Sequence, residues 1–244
     1  MNFSEDYLTN SNKRIKELDV KIRQYEPVNG KTMPSIDQLA VGEGRIFSLA
    51  VLFADLVDST NTINSLQLNQ ASRWLLHFLI ESTKIIKDFG GEVEKYSGDR
   101  VLGLFGTNGG STFDIAQSAI YCGLAIRCVV NKVLKPFYAS KGLPKVQVKI
   151  GIDYGLVQID KVGIRGNSEL SAIGTMVNIA SKLENIAAPN QILLGESLFS
   201  VSGPDEQKFC EQQTPSEDFT YRQRNTDKPY KYYSFGANFS ICRE

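Results

Sequence analysis

Two aspartates stand where acids are costly. Asp55 ends an apolar run at 46–54 and precedes Leu56-Val57-Asp58-Ser59-Thr60 and a helical pattern. Asp99 lies in Lys95-Tyr96-Ser97-Gly98-Asp99-Arg100, between two short strand-like segments. A helix start offers free backbone N–H groups to phosphate, and an acid beside them repels that anion unless a divalent cation stands between. Taken singly, Asp55 also reads as a turn residue with Asp58, Ser59 or Thr60 capping the helix, and Asp99 as an Asx-turn residue supporting Gly98. Brought face to face, the two carboxylates need a metal or a shared proton. A third stretch is Gly174-Thr175-Met176-Val177-Asn178-Ile179-Ala180-Ser181-Lys182-Leu183-Glu184. Asn178 and Lys182 are one helical repeat apart, so an amide and a cation share a face. They could orient a sugar and neutralise phosphate charge, or simply be solvated.

The elements that must position these residues follow from periodicity. The run 46–54 is too apolar for a half-exposed strand and is expected to be central. A helical pattern spans 61–89 and stops at Gly90-Gly91. Strands at 92–96 and 101–105 flank a hairpin turn at Ser97-Gly98-Asp99, whose tip should reach the end of the first strand. A helix over 113–134 is expected to end at Pro136, and 145–153 alternates, with Val146, Val148, Ile150 and Ile152 inward and Gln147 and Lys149 outward. The order β-α-β-β-α-β is the split unit of ferredoxin-like α+β domains. A further hairpin, a helix at 175–187 and strands at 191–194 and 231–235 follow, with a polar excursion at 203–228. An amphipathic helix at 3–26, ended by Pro27, carries Leu8, Ile15, Leu18, Ile22 and Tyr25 on one stripe. That stripe would pack on the chain's own domain or on a second copy. The expected division is an N-terminal helix and linker at 1–43, a catalytic domain at 44–200, and an extension at 201–244 that completes the sheet.

The 244 residues hold 27 Lys+Arg and 27 Asp+Glu, 42% hydrophobic and 22% charged residues, which are ordinary globular values. Net charge zero carries no footprint for nucleic acid or an anionic membrane. Four cysteines without C-x-x-C spacing and a single histidine speak against structural zinc. With no signal-like N-terminus, the thiols are expected to be reduced and the chain cytoplasmic, with no membrane span.

The three ordered motifs F-x-D-L-x-x-S-T, K-x-x-G-D and G-x-x-V-N-x-A-x-K-L-E, over roughly residues 44 to 200, resemble the class III nucleotidyl cyclases. That resemblance implies formation of a 3′,5′-cyclic nucleotide from a nucleoside triphosphate by a head-to-tail homodimer with shared sites. Asp55 and Asp99, helped by the Leu56 carbonyl, would hold two divalent cations, Mg²⁺ or Mn²⁺. One would activate the ribose 3′-OH and the other neutralise the triphosphate. The backbone from Val57 through Asp58 and Ser59 to Thr60 would cradle phosphates. Asn178 of the partner chain would orient the ribose. Lys182 stands where most of the family carries a transition-state arginine, and lysine lacks the bidentate fork.

Within that family, Gly98-Asp99-Arg100-Val101, Gly151-Ile152-Asp153, Gly163-Ile164-Arg165-Gly166-Asn167-Ser168-Glu169-Leu170 and Ala180-Ser181-Lys182-Leu183 are similar to the Pycsar pyrimidine cyclases of bacterial anti-phage defence. Phe53 occupies their aromatic position two residues before the metal aspartate, where a ring narrows the base pocket. Arg100 would contact the base or site wall, or be an exposed hairpin charge. The implied product is cUMP or cCMP, read by a separate effector protein. Adenylate-cyclase-like features remain: Lys95 in K-x-x-G-D, and Ser171 loosely at the second adenine-reading place. An adenylate cyclase and a catalytically dead dimerisation module stay as alternatives. A diguanylate cyclase is a weaker fit, because Gly90-Gly91 precedes a strand instead of forming the metal-site turn.

Overall fold

The structure, a computed structural model, describes residues 5–26, 28–164, 166–215, 219–223 and 226–239. The strands are β1 (Val28–Asn29), β2 (Gly44–Leu56), β3 (Glu92–Ser97), β4 (Arg100–Phe105), β5 (Val148–Ile164), β6 (Asn167–Ile173), β7 (Ile192–Gly195), β8 (Cys210–Gln212) and β9 (Tyr232–Phe235). The helices are α1 (Glu5–Arg23), α2 (Ser59–Asn64), α3 (Leu68–Asp88), α4 (Thr112–Val129), α5 (Lys135–Ser140), α6 (Thr175–Ile186), α7 (Glu196–Val201) and α8 (Pro204–Gln207).

One mixed sheet runs β3-β4-β2-β5-β7-β9-β8, with β1 beside β2 and β6 beside β5. Its first four strands have the order of the ferredoxin-like split unit, so the expected α+β architecture is present. β2 is the centre: it pairs antiparallel with β4 on one side and with β5 on the other. Both of its faces are buried, which is why its sequence is nearly all apolar. Ala50, Leu52, Ala54 and Leu56 face the larger core under α3 and α4, which holds Trp74, Phe78 and Ile120. Leu49, Val51 and Phe53 face a second core with Val157, Ile159, Val177 and Ala180, so α6 covers that face. α6 presses close to β5. A Cβ on Gly151 would lie 2.2 Å from the Ala180 carbonyl oxygen and 2.3 Å from the Glu184 nitrogen, so only glycine fits.

Several expectations need correction. The helical pattern after β2 is two helices, α2 and α3, because Gln67 takes extended angles (φ −66°, ψ 149°) and restarts the chain. Pro136 does not end α4. The turn Val130–Leu134 widens to a π-helix, and the proline then sits in the first turn of α5, where its missing N–H costs little. The composite helix Thr112–Ser140 is long and apolar enough to cross a membrane, with hydropathy 1.4, but half of that apolar window is buried, and Ile115, Ala116, Ala119 and Ile120 belong to the larger core. Lys149 is not an outward solvated charge: its side chain is only 19% exposed, since α6 covers the face it points to. The polar excursion contains a strand, β8, which extends the sheet beyond β9. The stripe of α1 does not fold onto its own domain. Leu8, Ile15, Leu18 and Ile22 are exposed, and of these Ile22 approaches the body at Gly42. Pro27 lies outside the described residues. Cys122 and Cys210 are free, but Cys128 is disulfide-bonded, so the cysteines no longer argue for a reducing compartment.

Asp153, singled out in the sequence as part of Gly151-Ile152-Asp153, is a structural pin. It is fully buried and accepts hydrogen bonds from the Tyr154 and Leu198 amides (2.9 and 3.1 Å) and from the Tyr230 hydroxyl (2.8 Å). It thereby ties β5 to α7 and to the strand leading into β9. Burial raises its carboxyl to about 7 despite these bonds. A folded-state value raised above the unfolded one gives stability that is complete at low pH and lost as pH rises through the folded value. Asp153→Asn keeps the shape and removes that titration. Wild type is therefore expected to lose several degrees of Tm relative to Asp153→Asn between pH 5 and pH 8. A Tm difference that stays flat across this window contradicts the assignment.

Candidate active site

The meeting of the two aspartates follows from register. β4 pairs with β2 so that Ala54 faces Val101, which puts the start of β4 beside the end of β2. The β3–β4 hairpin closes with Ser97 opposite Arg100, and Gly98 takes φ +66°, the left-handed conformation a two-residue turn needs. Asp99 on that tip is thus delivered to Asp55. Asp55 Oδ1 and Asp99 Oδ2 are buried without a hydrogen-bond partner. Burial first, then the charge of Glu184 and the charge and close approach of the Asp99 carboxyl, push the Asp55 carboxyl up to about 8, while Arg100 pulls it down.

Two orphaned, desolvated carboxylate oxygens on adjacent residues are a poor resting state and a good cation site. Among the described residues there is no cluster of three or more His, Cys, Asp or Glu ready for a metal. A pair of acids still suits Mg²⁺ or Mn²⁺, which bind through one or two carboxylates, backbone oxygen, water and substrate phosphate. Asp55, Asp99 and the Leu56 carbonyl fit that donor chemistry.

Around the pair, the structure brings Arg100 together with Glu184 and Lys149, the last two without a site role in the sequence reading. Arg100 is not an exposed hairpin charge: its side chain is 24% exposed and its Nη2 lies 2.6 Å from Glu184 Oε2 and 4.0 Å from Asp55 Oδ2. Arg100 also donates to Ser181 Oγ (3.3 Å) and Asn185 Oδ1 (3.0 Å), and its guanidinium lies 5.6 Å from the Phe53 ring centroid. Glu184 is fully buried and also pairs with Lys149 at 3.2 Å. Lys149 is the β5 partner of Asp55 in register. The signal for Glu184 was legible: it follows Val177 and Ala180 at helical spacing, an acid on an apolar stripe.

The remaining site residues form a second group. Lys95 donates to Ser171 Oγ at 3.2 Å, so the two base-reading positions do meet. A bulge between Val93 and Lys95 turns Glu94 inward, where its side chain is 1% exposed, accepts from the Ala172 amide (2.9 Å) and pairs with Lys95 (3.1 Å). Asn178 is exposed and Lys182 half-buried, and neither makes a side-chain hydrogen bond or ion pair among the described residues. Of the amides expected to cradle phosphates over 57–60, that of Val57 is already donated to the Gln147 carbonyl at 3.0 Å. Asp58 caps α2 in a left-handed conformation (φ 54°) and accepts from the Asn61 side chain, with Ser59 and Thr60 in the first turn. A cleft of about 830 Å³ lies elsewhere, lined by Tyr154, Met176, Glu196, Arg222, Gln223 and Tyr230.

A ferredoxin-like sheet with one acid near the end of its central strand and a second on the tip of the neighbouring hairpin is the arrangement expected of a class III nucleotidyl cyclase catalytic domain. The chain belongs to the adenylate and guanylate cyclase catalytic domain family, which it matches over residues 43–224. It is 29% identical over 181 residues to the uridylate cyclase of Rhodovulum sp. (strain MB263), a match covering 71% of each chain. It is 34% identical over 139 residues to the uridylate cyclase of Burkholderia cepacia, covering 56% of this chain and 58% of that one. A cytidylate cyclase of Staphylococcus aureus is 29% identical over 150 residues, which is 60% of this chain and 36% of that protein. Among solved structures, the adenylyl cyclase CyaB from P. aeruginosa aligns with TM-score 0.70 at 24% identity, over 81% of this chain and 98% of that one, a likeness of fold. Enzymes of this family generally use divalent metal ions and typically act as dimers.

Asp55→Asn and Asp99→Asn are each expected to abolish nucleotide cyclisation without lowering Tm, because each removes like-charge crowding and no core packing. Turnover retained in either variant would remove the two-carboxylate assignment.

Proposed function

We propose that this chain is a pyrimidine nucleotide cyclase that converts UTP, or CTP, to the 3′,5′-cyclic monophosphate and pyrophosphate. The observation that carries the reaction is the orphaned Asp55–Asp99 pair. The ribose 3′-oxygen bonds to the α-phosphorus, the bond from that phosphorus to the bridging oxygen of pyrophosphate breaks, and the hydroxyl proton leaves to solvent. Bound at the pair, two divalent cations, Mn²⁺ or Mg²⁺, supply activation of the hydroxyl and charge neutralisation. Asp58, Ser59 and Thr60 offer first-turn amides and hydroxyls to the phosphates. Lys95 and Ser171 face the base edge. Asn178 orients the ribose and Lys182 meets developing phosphate charge, both supplied by the partner of a homodimer. The exposed Asn178 and half-buried Lys182 side chains, without hydrogen bonds or ion pairs among the described residues, support that division.

The pyrimidine choice rests on the uridylate and cytidylate cyclases among the relatives and on Phe53 beneath Arg100, which narrows the wall beside Asp55. UTP is placed ahead of CTP. The product acts as a second messenger in bacterial anti-phage defence, made in the cytoplasm and read by a separate effector. A second reading, adenylate cyclase, is favoured by the Lys95–Ser171 contact.

Purified chain incubated with ATP, GTP, CTP and UTP plus Mn²⁺, with products read by mass, is expected to yield cUMP first and cCMP second. cAMP as the main product selects the second reading, and no cyclic product with any nucleotide selects a dead module. Shared sites carry their own expectation: mixing Asp55→Ala chains with Asn178→Ala chains restores partial activity, since one kind of heterodimer site is intact. No rescue in a confirmed heterodimer argues against sharing.

A further inference from the structure

The acid pair has cations on both sides. Arg100, one step beyond the Ala54–Val101 pair on β4, lies 4.0 Å from Asp55, and Lys149 is its register partner on β5. Either could collapse onto Asp55 and compete with a divalent cation for the carboxylate. Neither does, because Glu184 takes both: 2.6 Å to Arg100 and 3.2 Å to Lys149, from a fully buried position on α6. Ser181 and Asn185 complete the hold on the guanidinium. The close seat of α6 on Gly151 fixes the height of Glu184 over the sheet.

We infer that Glu184 is a positioning residue that draws Arg100 and Lys149 away from Asp55 and so keeps the carboxylate pair available to a divalent cation. The inference rests on Asp55 and Asp99 being the metal site. With glutamine at 184, the guanidinium loses its nearest anionic partner and swings onto Asp55. A second consequence is architectural. α6 carries Asn178 and Lys182 on its outer face and Glu184 on its inner face, so the helix that would serve a partner's site also holds this chain's own acid pair open.

The experiment is Mn²⁺ binding to the full chain without nucleotide, followed by the electron paramagnetic resonance of free Mn²⁺, for wild type, Glu184→Gln, Arg100→Gln and the double variant. Glu184→Gln is expected to weaken Mn²⁺ binding roughly 10–100-fold, the range for a residue that orients metal ligands. Arg100→Gln should change little in the wild-type background, where the guanidinium is already held, and should restore most of the loss in the Glu184→Gln background. Simple additivity of the two substitutions would overturn the inference, because a through-space charge effect adds. Unaltered binding in Glu184→Gln would overturn it as well. Should the single Glu184→Gln chain fail to fold, Arg100→Gln alone decides: unchanged Mn²⁺ binding supports the inference, and a marked tightening overturns it, because the guanidinium would then be competing for Asp55 even with Glu184 in place. A wild-type chain that binds no Mn²⁺ removes the metal-site reading itself, and this inference with it.

Discussion

The structure depends on holding two carboxylates together in a place shielded from water. Like charges at contact in low dielectric repel strongly, and burial alone disfavours ionisation. Such a pair persists only if it shares a proton or receives a cation, and only if the backbone leaves it nowhere to go. Here the constraint is the β2–β4 register. Asp55 cannot move without shifting a thirteen-residue strand paired on both sides and packed on both faces. Asp99 cannot move without opening a two-residue turn fixed by Gly98. The helices that cover β2 are therefore part of the site's electrostatics, since they supply the rigidity that opposes the repulsion.

The charges around the pair obey the same logic. Buried ionised groups survive when paired, and an unpaired one costs several kcal/mol. Glu184 has two cations within 3.2 Å, and Glu94 has Lys95 and the Ala172 amide, so each is compensated by opposite charge or an amide even though both Glu184 oxygens and Glu94 Oε2 accept no hydrogen bond. Asp55 is the most weakly compensated: among the described residues its ion-pair partner is Arg100 at 4.0 Å, with the Asp99 carboxyl beside it. A cation from outside the chain would supply what this edge of the network lacks.

Much of this was legible from the residues. The central strand was visible because no half-exposed strand is apolar at eight of nine positions, with Ser48 the exception, and the hairpin because Ser-Gly-Asp between two strand patterns allows little else. From these the meeting of Asp55 and Asp99 followed before any coordinates. What failed did so for identifiable reasons. Pro136 was read as a terminator because a proline removes one helical hydrogen bond, but a widened π turn leaves that bond unneeded. Lys149 was assigned to solvent because period-two alternation says which residues share a face and is silent on what covers it. Glu184 was seen only as the last letter of a motif, although its place on the apolar stripe of α6 marked it as buried. The Val57 amide was offered to phosphate without a way to know that Gln147 had claimed it.

The placement of the remaining groups argues about assembly. A binding site for a small molecule is normally a concavity that converges its polar groups. In this chain a cleft of about 830 Å³ contains neither aspartate, while Asn178 stands exposed with no side-chain hydrogen bond among the described residues. Lys95 and Ser171 already meet, but they meet on strands β3 and β6, apart from the hairpin tip that carries Asp99. A chain folded to finish its own site would close these two groups around one hollow. A chain folded to finish another's would present them as two half-surfaces. On the proposed function, the bare oxygens of the acid pair and the side chains of Asn178 and Lys182 on α6 would be complementary halves of one requirement, to be met if a second copy brought its α6 to this chain's hairpin.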